Sequence, residues 1–371
     1  MRLPEPLPAR CRRLHGEALR GAARISGNPS GWPNHLHVRR ETAEAEVEAR
    51  APLSLEAAAD RGRRICANVE RALRGKPDVV RRAVETLVAG GHLLLEDVPG
   101  VGKTTLGQSL ARSIDASFRR IQFTSDLLPG DLLGSSVPEH DAGRPTGRFV
   151  FQHGPIFAHV VLADEINRAS PKVQSALLEA MAESAVTLDG VTHPLPRPFF
   201  VIATQNPLDH HGTHPLPESQ LDRFLVRRGI GYPDAANEAA VLRDDPSATA
   251  LPSLEPVVGI EEVRAMQRVA ASVKFDDSLI AYLLAIVEET RAHEAIEIGV
   301  SPRGAIALRR TAQARALLDG RDYCIPEDVR DLAIDVLAHR LIVDPRSGRT
   351  RDGEESEWIL REILDRTSVP L

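Results

Sequence analysis

His92–Thr105, with the sequence HLLLEDVPGVGKTT, decides how this chain is read. His92–Glu96 is a short apolar run suited to a buried strand. Pro99-Gly100-Val101-Gly102-Lys103-Thr104 is a glycine-bearing turn, and Thr105–Ser113 reads as helix. Strand, turn and helix in that order build a loop that cradles phosphates. Backbone N–H groups wrap the anion, Lys103 supplies a point positive charge, and Thr104 offers its hydroxyl to Mg²⁺. Asp97 stands where this pattern ordinarily begins with glycine. The cradle is made mainly of Pro99–Thr104 backbone, so binding is expected to survive that departure.

Upstream, residues 54–90 read as two helices. Leu55, Ala58 and Ala59, then Ile65, Val69 and Leu73, recur at helical spacing, and Gly75-Lys76-Pro77 breaks the run before a second stripe of Val79, Val80, Ala83 and Leu87. Downstream, Phe118–Phe123, Val160–Ala163, Phe199–Ala203 and Phe224–Ile230 are further strand candidates. Ser170-Pro171 opens a helix between them, and Val186–Leu195 reads as a hairpin turning at Asp189-Gly190. Strands alternating with helices predict an α/β domain, residues 52–232, with a central parallel sheet. Residues 124–157 are less regular and rich in Gly, Pro and Asp, with Gly147–Phe151 alternating like an exposed strand. Residues 233–256 read as a linker with one short helix. From Ile260 onward only helices are expected, forming a lid over 257–345 and leaving 346–371 as a tail with a short helix.

The chemistry beyond phosphate binding lies at strand ends. Val160–Ala163 runs into Asp164-Glu165, and the carboxyl end of such a strand opens beside the phosphates. Asp164 can help hold Mg²⁺, while Glu165 can polarise an attacking water. Phe199–Ala203 runs into Thr204-Gln205-Asn206-Pro207, where Asn206 can reach the γ-phosphate and orient that water; in isolation Asn-Pro is simply a turn starter. Arg223 precedes the last strand, and a planar, always-charged guanidinium suits developing phosphoryl charge; without context it is an ordinary paired surface arginine. Arg303, in Ser301-Pro302-Arg303-Gly304, sits in the first turn of a lid helix against the helix dipole, which invites an anionic partner.

In this order and spacing VPGVGKT, VLADEINRAS, ATQNP, GTHPLPESQLDRF and SPRG closely resemble the MoxR branch of the AAA+ ATPases. IQFTSDLLPGDLLG, GRFVFQHGPIF and GRDYCIPEDV look like that branch too, and the resemblance spans roughly residues 55–345. It implies a phosphate-loop α/β domain with a small all-helical lid, binding ATP and Mg²⁺. Lys103 and Thr104 match the Walker A pair, flanked in the binding loop by Pro99, Gly100, Val101, Gly102 and Thr105. Asp164 and Glu165 match the Walker B pair, with Thr104 and Asp164 toward the metal. Asn206 matches the first sensor, Arg303 the second, and Arg223 the arginine finger that acts in trans on a neighbour's nucleotide. Residues 124–157 match the insertion in the second helix that marks this branch. The implied activity is ATP hydrolysis by a homo-oligomer, a hexameric ring that remodels a client protein as a chaperone alongside a von Willebrand factor A domain partner.

Two other readings compete, a nucleic-acid motor and a metal-chelatase-type ATPase subunit. Net charge is −6 and only four of the 46 basic residues are lysine. Residues 1–40 hold eight arginines against two acids, so the remainder is acidic, poorly suited to tracking a polyphosphate, and no nucleic acid is expected. Five prolines and no apolar period predict a disordered extension over 1–51. No apolar run is long enough to span a bilayer, and no secretory signal is visible. Cys11, Cys66 and Cys324 match no metal spacing, so the cytoplasm is the expected compartment. A GTPase is disfavoured because no Asn-Lys-x-Asp motif occurs.

Overall fold

The computed structural model describes residues 53–141, 144–206, 213–344 and 354–369; the expected extension over 1–51 lies outside them. Helix α1 (Leu55–Glu70) is capped by Ser54, whose hydroxyl accepts from the Ala57 N–H at 3.2 Å. The break before α2 (Pro77–Val88) falls where proline takes the first helical position. Strand β1 (Leu93–Glu96) then leads into α3 (Lys103–Ser113), which begins two residues earlier than the sequence predicts. Next come β2 (Phe118–Gln122), the one-turn helix α4 (Pro129–Leu133), an antiparallel hairpin of β3 (Gly134–Asp141) and β4 (Arg144–His153), and β5 (Val160–Asp164). Helix α5 (Pro171–Glu183) follows; Ser170 holds the N-cap position without a side-chain bond. A second hairpin pairs β6 (Ala185–Leu188) with β7 (Val191–Pro194), and Asp189 and Gly190 both take positive φ, as a type I′ turn requires. Strand β8 (Phe200–Gln205), the short α6 (Glu218–Leu221) and β9 (Val226–Arg228) complete the α/β part.

The main sheet has the order β2-β5-β8-β1-β9, with every pairing parallel. Its strands are apolar almost without interruption because both faces are covered. Leu93, Leu95, Val160, Leu162, Phe200 and Ile202 pack into one core, while Leu94, Val161, Ala163, Val201 and Ala203 pack into the other. The carboxyl ends of β1, β5 and β8 are therefore adjacent, which places the phosphate loop, Asp164-Glu165 and Asn206 at one edge of the sheet.

Residues 124–157 are more regular than their composition suggests. Most of the segment is the β3–β4 hairpin, not helix, and it meets the second hairpin. The Phe151 ring stacks on His193 at 4.0 Å, and Ser136 Oγ donates to Asp189 Oδ2 at 2.7 Å.

Beyond the sheet, the structure adds to the expected pattern. One short helix is expected over 233–256, yet α7 (Ala235–Asp244) and α8 (Pro246–Thr249) both form. No residue of α7 is buried, so it lacks the apolar stripe by which a helix is recognised. The second domain is the expected helical lid, with α9 (Ile260–Ser272), α10 (Asp277–Ala292), α11 (Pro302–Leu318) and α12 (Pro326–Leu337), and it carries one short antiparallel pair, β10 (Ile296–Ile298) with β11 (Ile342–Val343). The helix expected in a tail, α13 (Glu354–Arg366), buries Ile359, Leu360, Ile363 and Leu364 in the same core as the lid helices. His339 and Arg340, just beyond α12, are 4% and 7% exposed.

Buried charge joins the two parts. Glu85 on α2, fully buried, accepts from Arg81 at 2.9 Å and Arg82 at 2.6 Å. Asp335 on α12 takes Arg82 from α2 and Arg228 from β9, at 2.7 and 2.9 Å.

Candidate functional site

The loop between β1 and α3 is shaped by Gly102, the N-cap of α3, which has φ +101°. A Cβ there would lie 2.6 Å from Leu73 Cδ1, so both conformation and space call for glycine. Val101 is turned into the core and anchors the loop from behind. Lys103 is half-buried, and its ammonium donates to the Asp97 carbonyl. Burial pushes the Lys103 pKa below its ordinary value, against the opposing pull of the Asp97, Asp164 and Glu165 carboxylates.

Asp97 now has a physical account. Its carboxylate accepts from the Val98 N–H at 2.8 Å, from the Ile230 N–H at 2.7 Å, and from the Gly231 N–H. The residue that replaces glycine therefore pins the start of the phosphate loop to the chain leaving β9. Asp97→Ala strands those N–H groups in a partly buried corner and is expected to lower stability by about 1–2 kcal/mol. Urea unfolding measures this; an unchanged midpoint would show that the latch contributes nothing.

At the end of β5, Asp164 Oδ1 accepts from Thr204 Oγ1 at 2.6 Å, while Oδ2 takes Arg120 Nη2 at 2.6 Å and Nε at 3.1 Å. Glu165 sits at φ 57°, ψ 51°, a left-handed conformation that is strained for a residue with a Cβ. Its N–H donates to the same Thr204 Oγ1 at 2.8 Å, which stabilises that turn. The Glu165 carboxylate accepts from Gln122 Nε2 at 2.8 Å and Arg168 Nη1 at 3.1 Å. The two acids thus diverge. Asp164 lies along the strand end, and Glu165 is turned aside from it.

These groups wall a cavity of about 330 Å³. Pro99, Gly100, Gly102, Lys103, Thr104, Thr105, Asp164, Glu165 and Asn206 all line it. Among the residues singled out from sequence, Val101, Arg223 and Arg303 do not. Arg223 Nη1 donates to the Leu178 carbonyl of α5 at 3.1 Å. Arg303, 60% exposed, lies 3.8 Å from Asp222 Oδ2. The hydroxyl of Thr104 and the carboxylate of Asp164 suit Mg²⁺, a hard cation that uses few protein oxygens and is otherwise held by phosphates and water.

Sequence reasoning missed Arg120, Gln122 and Thr204. Arg120 and Gln122 lie on β2, paired in register with Leu162 and Asp164, and share one face of that strand. Polar residues two apart in a strand next to an acid pair were the available signal. Thr204 lay within the quoted ATQNP stretch, but nothing local marks a buried threonine as the bridge between two acids.

A parallel sheet with a phosphate loop after one strand, an acid pair after another and a following lid defines a phosphate-loop α/β protein. Comparison with known proteins narrows this. The model of the "ATPase family associated with various cellular activities (AAA)" matches residues 92–226, and the AAA lid domain model matches 288–363. Chaperone MoxR1 of Mycobacterium tuberculosis is 38% identical over 311 residues, covering 81% of this chain and 80% of that protein. The uncharacterized protein YeaC of Bacillus subtilis is 48% identical over 304 residues, covering 82% and 93%. A candidate ATPase of Cytophaga hutchinsonii, solved by crystallography, superposes with a TM-score of 0.78 at 35% identity, covering 85% of this chain and 97% of that one. The chain belongs to the MoxR-type AAA+ ATPases.

Among the described residues, no helix is long and apolar enough to cross a membrane.

Proposed function

We propose that the protein hydrolyses ATP with Mg²⁺ and uses the energy, as one subunit of a ring, to remodel a client protein. The observation that carries this reading is the shared cavity: the phosphate loop and the Asp164–Glu165 pair face one another, with Thr204 bonded to both acids. In this reading the loop N–H groups and Lys103 bind the β- and γ-phosphates. Thr104 and Asp164 would hold Mg²⁺, which would supply positive charge against the phosphates. Glu165 orients a water and accepts its proton, with Gln122 and Arg168 holding the carboxylate in place. Asn206 lies on the same wall, where an amide can fix that water.

Arg223 lies off this cavity on the α5 side, which supports its acting on a neighbouring subunit's nucleotide. Arg303, exposed at the start of α11, also lies off this cavity and faces Asp222 at 3.8 Å, so its role as the second sensor rests on the family resemblance. The chaperone part of the reading is supported by the name of the M. tuberculosis relative. A hexamer and a von Willebrand factor A domain partner are what the family resemblance implies. The two adjoining hairpins, with Phe149 71% exposed on β4, are the proposed client or partner contact, because neither serves the nucleotide. The acidic charge balance continues to disfavour a nucleic-acid motor; stimulation of turnover by DNA or RNA would reverse that preference.

Arg223→Ala is expected to keep nucleotide binding and lose turnover by about 10³-fold, the range of a contributed arginine. Mixing it with Glu165→Gln protein is expected to restore part of the activity, since some interfaces then join an intact finger to an intact base. Phosphate release across a mixing series reads this out. No recovery at any ratio would count against action in trans.

A further inference from the structure

Arg340, just beyond α12, carries a deeply buried guanidinium. Its side chain is 3% exposed. Nε donates to Asp222 Oδ1 at 2.7 Å, and Nη2 donates to the Phe224 carbonyl at 2.6 Å and the Asp222 carbonyl at 3.3 Å. Nη1 reaches the Leu225 carbonyl at 3.4 Å and the Val336 carbonyl. One guanidinium from the lid thereby holds both residues that flank Arg223. Phe224, fully buried, fixes the same segment from its other side.

The opposite face of Arg340 meets α11. A Cβ on Gly304 would lie 2.9 Å from Arg340 Cδ and 2.8 Å from Val300 Cγ1. The glycine after Arg303 is therefore what lets the arginine stem pass beneath the first turn of that helix. The remaining oxygen of Asp222 faces Arg303 at 3.8 Å. Arg303, Gly304, Arg340, Asp222 and Arg223 form one chain of contacts from the lid helix to the arginine outside the cavity.

We infer that Arg340 and Asp222 are positioning residues that hold Arg223 in place for a neighbouring subunit's nucleotide. With Asp222 and Phe224 both bonded to one buried guanidinium, the backbone on either side of Arg223 is fixed to the lid. Packed atoms at van der Waals distance resist displacement, so this anchor sets where the finger stands. This rests on the reading of Arg223 as a finger in trans.

The test compares full-length wild-type protein, Asp222→Asn, Arg340→Lys and Arg223→Ala by steady-state ATPase and by equilibrium binding of a fluorescent ATP analogue. Asp222→Asn and Arg340→Lys are expected to keep affinity within about twofold and to lose kcat by about tenfold or more, because a finger misplaced by a fraction of an ångström loses its contribution. Adding Glu165→Gln subunits, which carry an intact finger, is expected to restore turnover to Asp222→Asn. A purely structural defect would not be complemented in this way. Unchanged kcat in Asp222→Asn, or a loss that Glu165→Gln does not restore, overturns the positioning role. If Arg340→Lys does not fold, as judged by circular dichroism, Asp222→Asn decides, its own fold checked in the same way, since the amide oxygen still accepts from Arg340 Nε. Full turnover in Arg223→Ala would instead remove the finger reading itself, an outcome distinct from either.

Discussion

Glu165→Gln is expected to bind ATP as wild-type does and to turn it over at least about a hundredfold more slowly, within the range for loss of a general base. The substitution keeps shape and hydrogen-bonding capacity but removes the charge that can accept a proton. Contacts to Gln122 and Arg168 hold the side chain beside the cavity. The strained left-handed backbone at Glu165 is unaltered by the change, since Thr204 Oγ1 holds its N–H. Affinity is therefore expected to survive while chemistry stops, and ATP-bound assemblies should persist. Phosphate release and nucleotide binding measured on one preparation decide it. Normal hydrolysis would mean that Glu165 is not the water-activating group.

Lys103→Ala is expected to abolish measurable nucleotide binding. A charge-assisted bond to phosphate contributes about 3 kcal/mol, roughly a hundredfold or more in affinity. Lys103 is held at the cavity wall by the Asp97 carbonyl, so its ammonium is already placed when phosphate arrives. Alanine also removes the only lysine of the phosphate loop from a cavity that contains two acids, Asp164 and Glu165. Net repulsion of phosphate follows. Equilibrium binding of a fluorescent ATP analogue measures the loss, and near-normal affinity would displace Lys103 from its assigned role. The two variants separate binding from chemistry: one should fail before the nucleotide arrives, the other only after.

Much of the site was legible locally. The strand–turn–helix of His92–Ser113 is specified by an apolar run, two glycines and a helix-forming sequence within two dozen residues. Glu165 follows a strand recognisable by its own apolarity. Arg303 carries a local mark too, a charge in the wrong turn of a helix, but it lies off the cavity. Each is a short-range pattern, governed by backbone conformation and side-chain period, and such patterns survive when the rest of the chain is unknown.

Other features have no local signature. Helix α7 shows no apolar stripe because it buries nothing. His339 and Arg340 resemble the ordinary basic end of a helix, yet both are buried. Arg340 is tolerated there only because the Asp222–Leu225 segment, more than a hundred residues earlier in the chain, supplies a carboxylate and three carbonyls.

The phosphate loop itself divides along the same line. Sequence alone determined that His92–Thr105 would be a strand, a glycine turn and the start of a helix, and it pointed to Lys103 for phosphate and Thr104 for Mg²⁺. It left Asp97 as an irregularity. Only the tertiary structure decided that Asp97 fastens the loop to Ile230 and Gly231, that Thr204 joins the two acids, and that Arg120 and Gln122 complete the wall. The physical reason is range. Conformational preference and periodicity act over a few residues, whereas a hydrogen bond between residues 97 and 230 exists only once the sheet has brought β1 and β9 side by side.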